Sequence, residues 1–415
     1  MTGPVLIPFA AAQQAFLDQI FATARSAGAE ARLVGGVVRN WLMHYHHGQA
    51  FAADQDFDLA VSLPVADCAA AAALAGFAVY ETGLSHGTVT LVKDGQTAQI
   101  TQLRTDEQTD GRHARIQATD SWTEDARRRD FTMNALYLDA DGRLYDPVGG
   151  YEDIRNNRLR FVGAPARRLK EDHLRALRAL RFLSVYPDLS LAAADRRALA
   201  AHMHLLPQLS AERIASELRR LMAGPGAVPV LRLCARMGVD RAVFDTRFCT
   251  GLLTHRGLAG VWPDLDFAMR LACCLPPGAR TAAARRLKLS RAERGVLDRA
   301  DRPVCPDLAA GLLTQNWARS AYRLGATALV HALDYASQHN QGLDQLSSDR
   351  LRQIVFFRAP ACPVSGRAIV QRHGLSGPAV GACLDRLKRL WIDSDFSLTA
   401  DQLLTLSDTM TKTDP

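Results

Sequence analysis

Asp56-Phe57-Asp58 leads into a short apolar run, Phe57–Val61, that reads as a strand ended by Ser62-Leu63-Pro64. Residues two apart on a strand share a face, so the carboxylates of Asp56 and Asp58 stand side by side and repel. A divalent cation relieves that repulsion, and Mg²⁺ prefers such oxygen ligands while keeping sites for water and substrate phosphates. An isolated pair of this kind is better explained by two solvated acids at a strand end, so the metal reading needs the rest of the chain. About twenty residues upstream, Leu33-Val34-Gly35-Gly36-Val37-Val38-Arg39-Asn40 runs from a strand through a double glycine into a helix. Gly35 and Gly36 allow close backbone approach, and the unpaired N–H groups of a helix start suit an anion. Arg39 can add a bidentate contact to phosphate. No G-K-[ST] follows, so this is not a P-loop. A phosphate-cradling turn followed by a metal-type acid pair suits a polymerase-like palm, where metals bridge a triphosphate and an attacking hydroxyl.

A second constellation is rich in arginine. Asp172, Arg175, Arg178 and Arg181 recur every three residues, which on one helix would form a single polar stripe. Leu174, Leu177 and Leu180 form a neighbouring apolar stripe. Cytosine and adenine each present an amino group beside an unprotonated ring nitrogen. A carboxylate accepts from the amino group while a guanidinium donates to the ring nitrogen. Uracil and guanine present a carbonyl and a ring N–H, leaving both side chains mispaired at a cost of roughly 1–3 kcal/mol each. Taken alone, the stripe is better read as an ordinary salt-bridged face worth about 0.2–0.5 kcal/mol per pair.

The elements that must position these residues divide the chain by type. Ala31–Val34 and Phe57–Val61 read as strands and residues 37–45 as a helix. Residues 88–92 and 97–101 flank Asp94-Gly95, and residues 135–139 and 143–145 flank Asp141-Gly142, both hairpin signals. After about Pro165, strand signals nearly vanish and Leu and Ala recur at helical spacing. The fold class is α+β: a head with a small mixed sheet, then an all-α remainder. The expected regions are 1–150, 151–225 and 226–415.

The motif strings resemble those of the class II CCA-adding enzyme and bacterial poly(A) polymerase superfamily. Residues 33–40 and 56–62 are similar to its nucleotide-binding and metal-binding motifs. In the same order follow Arg128-Arg129-Asp130-Phe131-Thr132-Met133-Asn134-Ala135, Asp146-Pro147-Val148-Gly149-Gly150, Glu171-Asp172-His173-Leu174-Arg175 and Glu212-Arg213-Ile214-Ala215-Ser216-Glu217. Collinear matches span roughly residues 32–220. The resemblance implies a palm-like nucleotidyltransferase head (1–150), a helical neck with the base-recognition helix (151–225), and a helical body and tail that bind tRNA (226–415). It implies Asp56 and Asp58 as catalytic metal ligands for Mg²⁺. Gly36, Arg39, Arg129, Asp172, Arg175, Arg178 and Arg181 are the implied nucleotide-binding residues, with Asp172 and Arg175 as a template for C and A. Glu171 and Asn134 are expected to brace the site. The implied reaction adds CMP and AMP from CTP and ATP to the tRNA 3′ end, with a poly(A) polymerase or a CC-only or A-only enzyme as alternatives. A further alternative is a non-catalytic RNA-binding protein on a decayed scaffold.

Two positions depart from the family pattern. Asn40 stands where Asp is usual, and Gln99 where a Glu commonly precedes the Thr-x-x-Arg segment. Loss of that carboxylate weakens any hold on metal. The basic run Arg155, Arg158, Arg160, Arg167, Arg168 and Lys170 either tracks an RNA or triphosphate backbone or forms a solvated face. His44-Tyr45-His46-His47 lacks a partner cluster and reads as a helix end. The composition agrees with this reading: 415 residues, 48% hydrophobic, net charge +7, which favours an anionic partner. Eight scattered cysteines suggest neither disulfides nor a zinc site. No apolar run is long enough for a membrane and no leader pattern opens the chain. A cytoplasmic enzyme with no membrane association and no obligate protein partner is expected.

Overall fold

The computed structural model describes residues 4–51, 57–83, 87–109, 114–338 and 346–410. The chain divides into two compact units, Met1–Val243 and Phe244–Pro415.

The first unit is built on a seven-stranded mixed sheet. Its strands are β1 (Ala31–Val34), β2 (Phe57–Val61), β3 (Ala78–Gly83), β4 (Thr88–Lys93), β5 (Gln96–Gln102), β8 (Tyr137–Leu138) and β9 (Leu144–Tyr145), in the order β3-β4-β5-β2-β1-β8-β9. β1 and β2 are antiparallel, β2 and β5 parallel, and β4 and β5 antiparallel. A separate hairpin, β6 (Arg104–Thr109) with β7 (Ala114–Ala118), follows β5. The β4–β5 turn has Asp94 at φ 50° and Gly95 at φ 75°, with Lys93 opposite Gln96. Two successive positive φ values match the right-handed twist of the strands, which is why Asp-Gly suits this turn.

Alternation on the strands assigns the two sheet faces. Phe57, Leu59, Val61, Val89, Leu91, Ala98 and Ile100 are buried under α1 (Ala11–Ser26) and α3 (Val65–Leu74). The α1 residues Phe16, Leu17 and Ile20 recur at helical spacing and are at most 4% exposed, giving that helix its inward stripe. The opposite face carries a smaller core of Val34, Ala60, Leu103, Ala126, Ala135, Tyr137 and Val162 at one end. Asp58, Thr90 and Gln99 lie on this second face, away from the helical cover.

Helices complete the unit: α2 (Gly36–His47), α4 (Trp122–Arg128), α5 (Gly150–Arg155), α6 (Pro165–Glu171), α7 (Leu174–Val185), α8 (Ala193–His202), α9 (Ala211–Ala223) and α10 (Ala227–Met237). α7 packs on α9 and α10 through Leu177, Leu180, Leu218, Leu221 and Leu231, all fully buried. Strands nearly vanish after Pro165, as expected, with one short exception. β10 (Arg158–Leu159) pairs in parallel with a late two-residue strand, β11 (Ser190–Leu191). The run at 135–139 is also shorter than its apolar pattern suggests, because Thr132–Asn134 forms a 3₁₀ turn and only Tyr137–Leu138 joins the sheet.

The second unit contains only helices and turns among its described residues. Near its C-terminus, the helices Gly366–His373, Pro378–Asp393 and Ala400–Met410 close over Ile369, Leu387, Trp391 and Leu403. The eight cysteines are free thiols. Among the described residues no helix is long and apolar enough to cross a membrane.

Candidate functional site: a glycine turn facing an arginine cluster

The β1–α2 turn is the floor of the site. Gly35 adopts φ 76° and ψ −123°, which a side chain would oppose. A Cβ on Gly35 would stand 3.9 Å from Asp58 Oδ2, and one on Gly36 would stand 3.8 Å from Arg39 Nη2. The turn is therefore flanked by a carboxylate on one side and a guanidinium on the other. Their separation in sequence is closed by β1 pairing with β2, where Leu33 sits opposite Leu59. Asp58 is half-buried, and its parallel neighbour on β5 is Gln99, which is exposed. Asp56 lies outside the described residues.

Arg39 is held from several sides. Its Nη1 donates to Asn134 Oδ1 at 2.5 Å, and its Nη2 and Nε donate to Asn40 Oδ1 at 2.8 and 3.0 Å. Tyr186 OH accepts from Arg39 Nε at 3.3 Å and donates to Asn40 Oδ1 at 2.6 Å. Asn40 thus acts through an oxygen that both neighbours need, which an amide supplies as well as a carboxylate does. It lies inside α2 rather than capping it.

The expected stripe at 172–181 is corrected by the backbone. α6 ends at Glu171 and α7 begins at Leu174, while Asp172 between them is extended at φ −149°, ψ 108°. Asp172 therefore belongs to a helix break and not to the face bearing Arg175, Arg178 and Arg181. Its carboxylate accepts from the Leu174 N–H at 3.1 Å and takes Arg213 Nη2 on both oxygens at 3.0 Å. Arg175 is turned inward. Its Nη1 donates to Glu171 Oε2 at 2.8 Å and to the Arg168 carbonyl at 3.0 Å, and its Nη2 to the Arg128 carbonyl at 3.0 Å. The side chains of Asp172 and Arg175 are consequently fixed by separate partners, although the Arg175 N–H donates to the Asp172 carbonyl at 3.1 Å.

Arg178 and Arg181 are each anchored by one acid. Arg178 places Nε and Nη2 at 2.6 Å from Asp130 Oδ2 while its side chain stays 33% exposed. Burial alone would raise the Asp130 carboxyl. The Arg178 charge and hydrogen bond, Asn134 Nδ2 and the Phe131 N–H (the last two at 2.8 Å) together outweigh that and hold it at about 2. Arg181 Nε donates to Glu217 Oε2 at 2.7 Å. Burial pushes the Arg181 guanidinium below its ordinary range against the pull of Glu217, with Arg178 and Arg39 adding to the fall. These three guanidiniums are close enough to repel, an arrangement suited to a polyanion. Arg129 is bound differently: its Nε and Nη2 lie 3.1 and 2.9 Å from Asp125 Oδ2, and its Nε is 3.1 Å from Tyr137 OH.

The remaining motif residues support this frame. Asp146 accepts from the N–H groups of Gly149, Gly150 and Tyr151 at 2.8–2.9 Å, satisfying donors at the start of α5, whose N-cap residue is Gly149. A Cβ on Gly150 would meet the Thr132 carbonyl at 2.1 Å, so only glycine lets this turn press against the Arg129–Asn134 segment. Asn134 accepts from Arg39 and donates to Asp130, and Glu171 takes Arg167, Arg168 and Arg175. In the basic run, Arg155 pairs with Glu152, Arg158 and Arg160 with Asp153, and Arg167 and Arg168 with Glu171. Much of that run is therefore scaffold. His47 Nε2 bonds the Ile154 carbonyl at 2.7 Å and His44 Nδ1 the Gln49 carbonyl at 2.8 Å, so the histidine string ties α2 to its surroundings.

Sequence reasoning gave no individual role to Asp130, Tyr186, Arg213 or Glu217. The spacing of Arg213 and Glu217 was a usable signal, since residues four apart share a helix face. That face of α9 reaches both Asp172 and Arg181. Tyr186 carried no comparable signal, because its partners are nearly 150 residues away.

Among the described residues no group of three His, Cys, Asp or Glu side chains could hold a metal. The donor types where β2 and β5 adjoin do fit a hard cation, since Asp58 and Gln99, in register on neighbouring strands, bring a carboxylate and an amide. Asp58 and, from sequence, Asp56 are the residues that would hold Mg²⁺.

Three comparisons bear on this arrangement. Residues 31–160 match the family described as poly A polymerase head domain. The mouse (Mus musculus) mitochondrial CCA tRNA nucleotidyltransferase 1 is 30% identical over 391 residues, spanning 90% of this chain and 86% of that protein. The CCA-adding enzyme of Geobacillus thermodenitrificans is 37% identical over 216 residues, about half of each chain (51% and 50%). The structure of the Bacillus stearothermophilus CCA-adding enzyme in complex with CTP superposes with TM-score 0.68 at 26% identity, covering 97% of this chain and 98% of that one. The Thermotoga maritima CCA-adding enzyme complexed with tRNA gives TM-score 0.72 at 19% identity over 98% and 96% of the two chains, a likeness of fold.

Proposed function

Because the chain belongs to the CCA tRNA nucleotidyltransferase family, we propose that its glycine turn and arginine cluster grip CTP or ATP for addition to a tRNA 3′ end. The observation that carries this reading is the pairing of Asp58 and Arg39 across Gly35-Gly36, opposite guanidiniums that Asp130 and Glu217 hold in place. The α2 N-terminus and Arg39 take phosphate oxygens. Arg178 and Arg181 neutralise the rest of the triphosphate, and their anchors prevent them from having to reorganise when it arrives. Asp172 and Arg175, with Arg213 and Glu171 behind them, offer an acceptor and a donor to the amino group and ring nitrogen of C or A. Arg129 lies in the adjoining wall, and Gly36 keeps the floor open.

When bound at Asp56 and Asp58, Mg²⁺ supplies Lewis-acid activation of the primer 3′-hydroxyl and charge neutralisation at the triphosphate. The hydroxyl attacks the α-phosphate in line and pyrophosphate leaves, with no covalent enzyme intermediate. Gln99 contributes a neutral oxygen beside Asp58 where a Glu would add charge, so a weaker hold on metal is part of the proposal. The three-region division at 150 and 225 and a cytoplasmic location belong to the same proposal. So does action without an obligate protein partner.

The poly(A) polymerase alternative shares the head. The 391-residue similarity to a CCA tRNA nucleotidyltransferase extends well beyond it and supports CCA addition. Incubation with a tRNA transcript lacking its terminal CCA decides between them. Two cytidines with CTP alone, completion with CTP and ATP, and then arrest are expected. Long A-tails from ATP alone would overturn the reading.

A further inference from the structure

Phe182 is 1% exposed and looks at first like ordinary core. Its surroundings are not ordinary. The guanidinium carbon of Arg181 lies 4.2 Å from the ring centroid and that of Arg39 lies 4.9 Å from it. One guanidinium comes from the neighbouring residue of α7 and the other from α2, 143 residues away in sequence. The ring is wedged in turn by Phe131, edge-on at 5.4 Å and 82°, and by Tyr186, near-parallel at 6.4 Å and 10°. Tyr186 also reaches Arg39 through its hydroxyl at 3.3 Å.

We propose that Phe182 is a positioning residue for triphosphate binding, holding Arg39 and Arg181 together so that both meet the same polyanion. Two guanidiniums near one another repel, and burial away from water worsens the repulsion. An aromatic ring offsets this because its faces are electron-rich, and the attraction strengthens when the cation is desolvated. Glu217 and Asn40 neutralise or accept from the outer edges of the two side chains, but among the described residues only the ring is shared by both. Without it, the work of bringing the two charges together moves to the binding step and weakens affinity. The inference rests on the nucleotidyltransferase reading, since it takes the ligand to be a triphosphate.

Phe182→Leu would change packing and electrostatics together, so it does not suffice. Graded fluorination of the Phe182 ring, ending in Phe182→pentafluorophenylalanine, keeps the shape while progressively removing the electron-rich face. The readouts are Kd for inorganic tripolyphosphate, KM and kcat for CTP and ATP, and Tm, all on the full chain at fixed Mg²⁺. Affinity for tripolyphosphate is expected to fall stepwise with fluorine count, by roughly tenfold at full substitution for two partly desolvated contacts. KM for CTP and ATP should rise together, and preference for C and A over U and G should stay. Leu177→Ala, which opens a cavity on the packed side of the same helix, should lower Tm without moving tripolyphosphate affinity. Unchanged affinity across the fluorinated series, or a loss confined to one base, would overturn the role of Phe182. Failure of the unaltered protein to bind tripolyphosphate at all would instead overturn the function proposed above.

Discussion

Arginine is used in opposite ways in the two units. In the second, Arg280 is 0% exposed and its guanidinium is ringed by buried acceptors. Its Nη1 and Nη2 each lie 2.7 Å from an oxygen of Asp334, while Nε and Nη1 also donate to the Ala272 and Ala300 carbonyls at 3.0 and 2.8 Å. In the first unit, Arg178 gives one edge to Asp130 and remains a third exposed. Arg181 is anchored through Nε, and Arg39 through neutral oxygens. A guanidinium surrounded by acceptors is a structural tie, whereas one steadied along an edge keeps charge to offer a ligand. Arg175 stands between the two cases, buried like Arg280 but beside the break that presents Asp172.

If this contrast is right, changes in the first region should cost chemistry and changes in the second should cost stability. The largest expected effect is Asp58→Asn, which should lower turnover roughly thousandfold or more, about 4 kcal/mol of transition-state stabilisation, with Tm little changed. Near-normal single-turnover rates in Mg²⁺ would remove Asp58 from the chemistry. Arg280→Met should destabilise the second unit by about 3–5 kcal/mol, because it leaves Asp334 buried without its partner. Nucleotide addition per folded molecule should persist. Urea unfolding read alongside initial rates separates the two quantities, and a selective loss of rate would break the contrast.

Asp172→Ala should relax the choice of C and A over U and G by roughly five- to a hundred-fold, the equivalent of about 1–3 kcal/mol for one buried polar contact. Arg213→Gln should move selectivity in the same direction, since it frees the carboxylate that Arg213 now holds. Addition assays with each triphosphate separately would show it, and intact selectivity in both variants would place base reading elsewhere.

The smallest effect concerns pH. Asp130 is held at about 2 in the folded protein, against about 3.9 for a free aspartate. A depressed carboxyl contributes stability that is fully present above the unfolded value and is lost as pH falls through the folded one. The loss therefore falls between about pH 4 and 2 and amounts to roughly 2 kcal/mol. Asp130→Asn should flatten that part of the stability–pH curve, as followed by acid titration of urea midpoints. An unaltered slope would mean that the Arg178–Asp130 pair adds nothing to folding.

The sheet was legible because its signals are local. Alternating burial, a double glycine and Asp-Gly turns fix strands and hairpins through backbone preferences within a few residues. The order of motifs along the chain singled out the double-glycine turn and Asp58, which β1 pairing with β2 brings together. The helix break at Asp172 was not legible, because an every-third-residue pattern continues across it and nothing local marks the interruption. Only Arg213, reaching from α9, and the Leu174 N–H show why Asp172 leaves the helix. The same holds for Arg39, whose partners Asn134, Phe182 and Tyr186 arrive from distant segments. Residue type and spacing thus determined which groups could do chemistry and the elements that carry them. Which guanidiniums stay available, and which are consumed as ties, was decided by tertiary packing, because each depends on acceptors brought in from elsewhere in the chain.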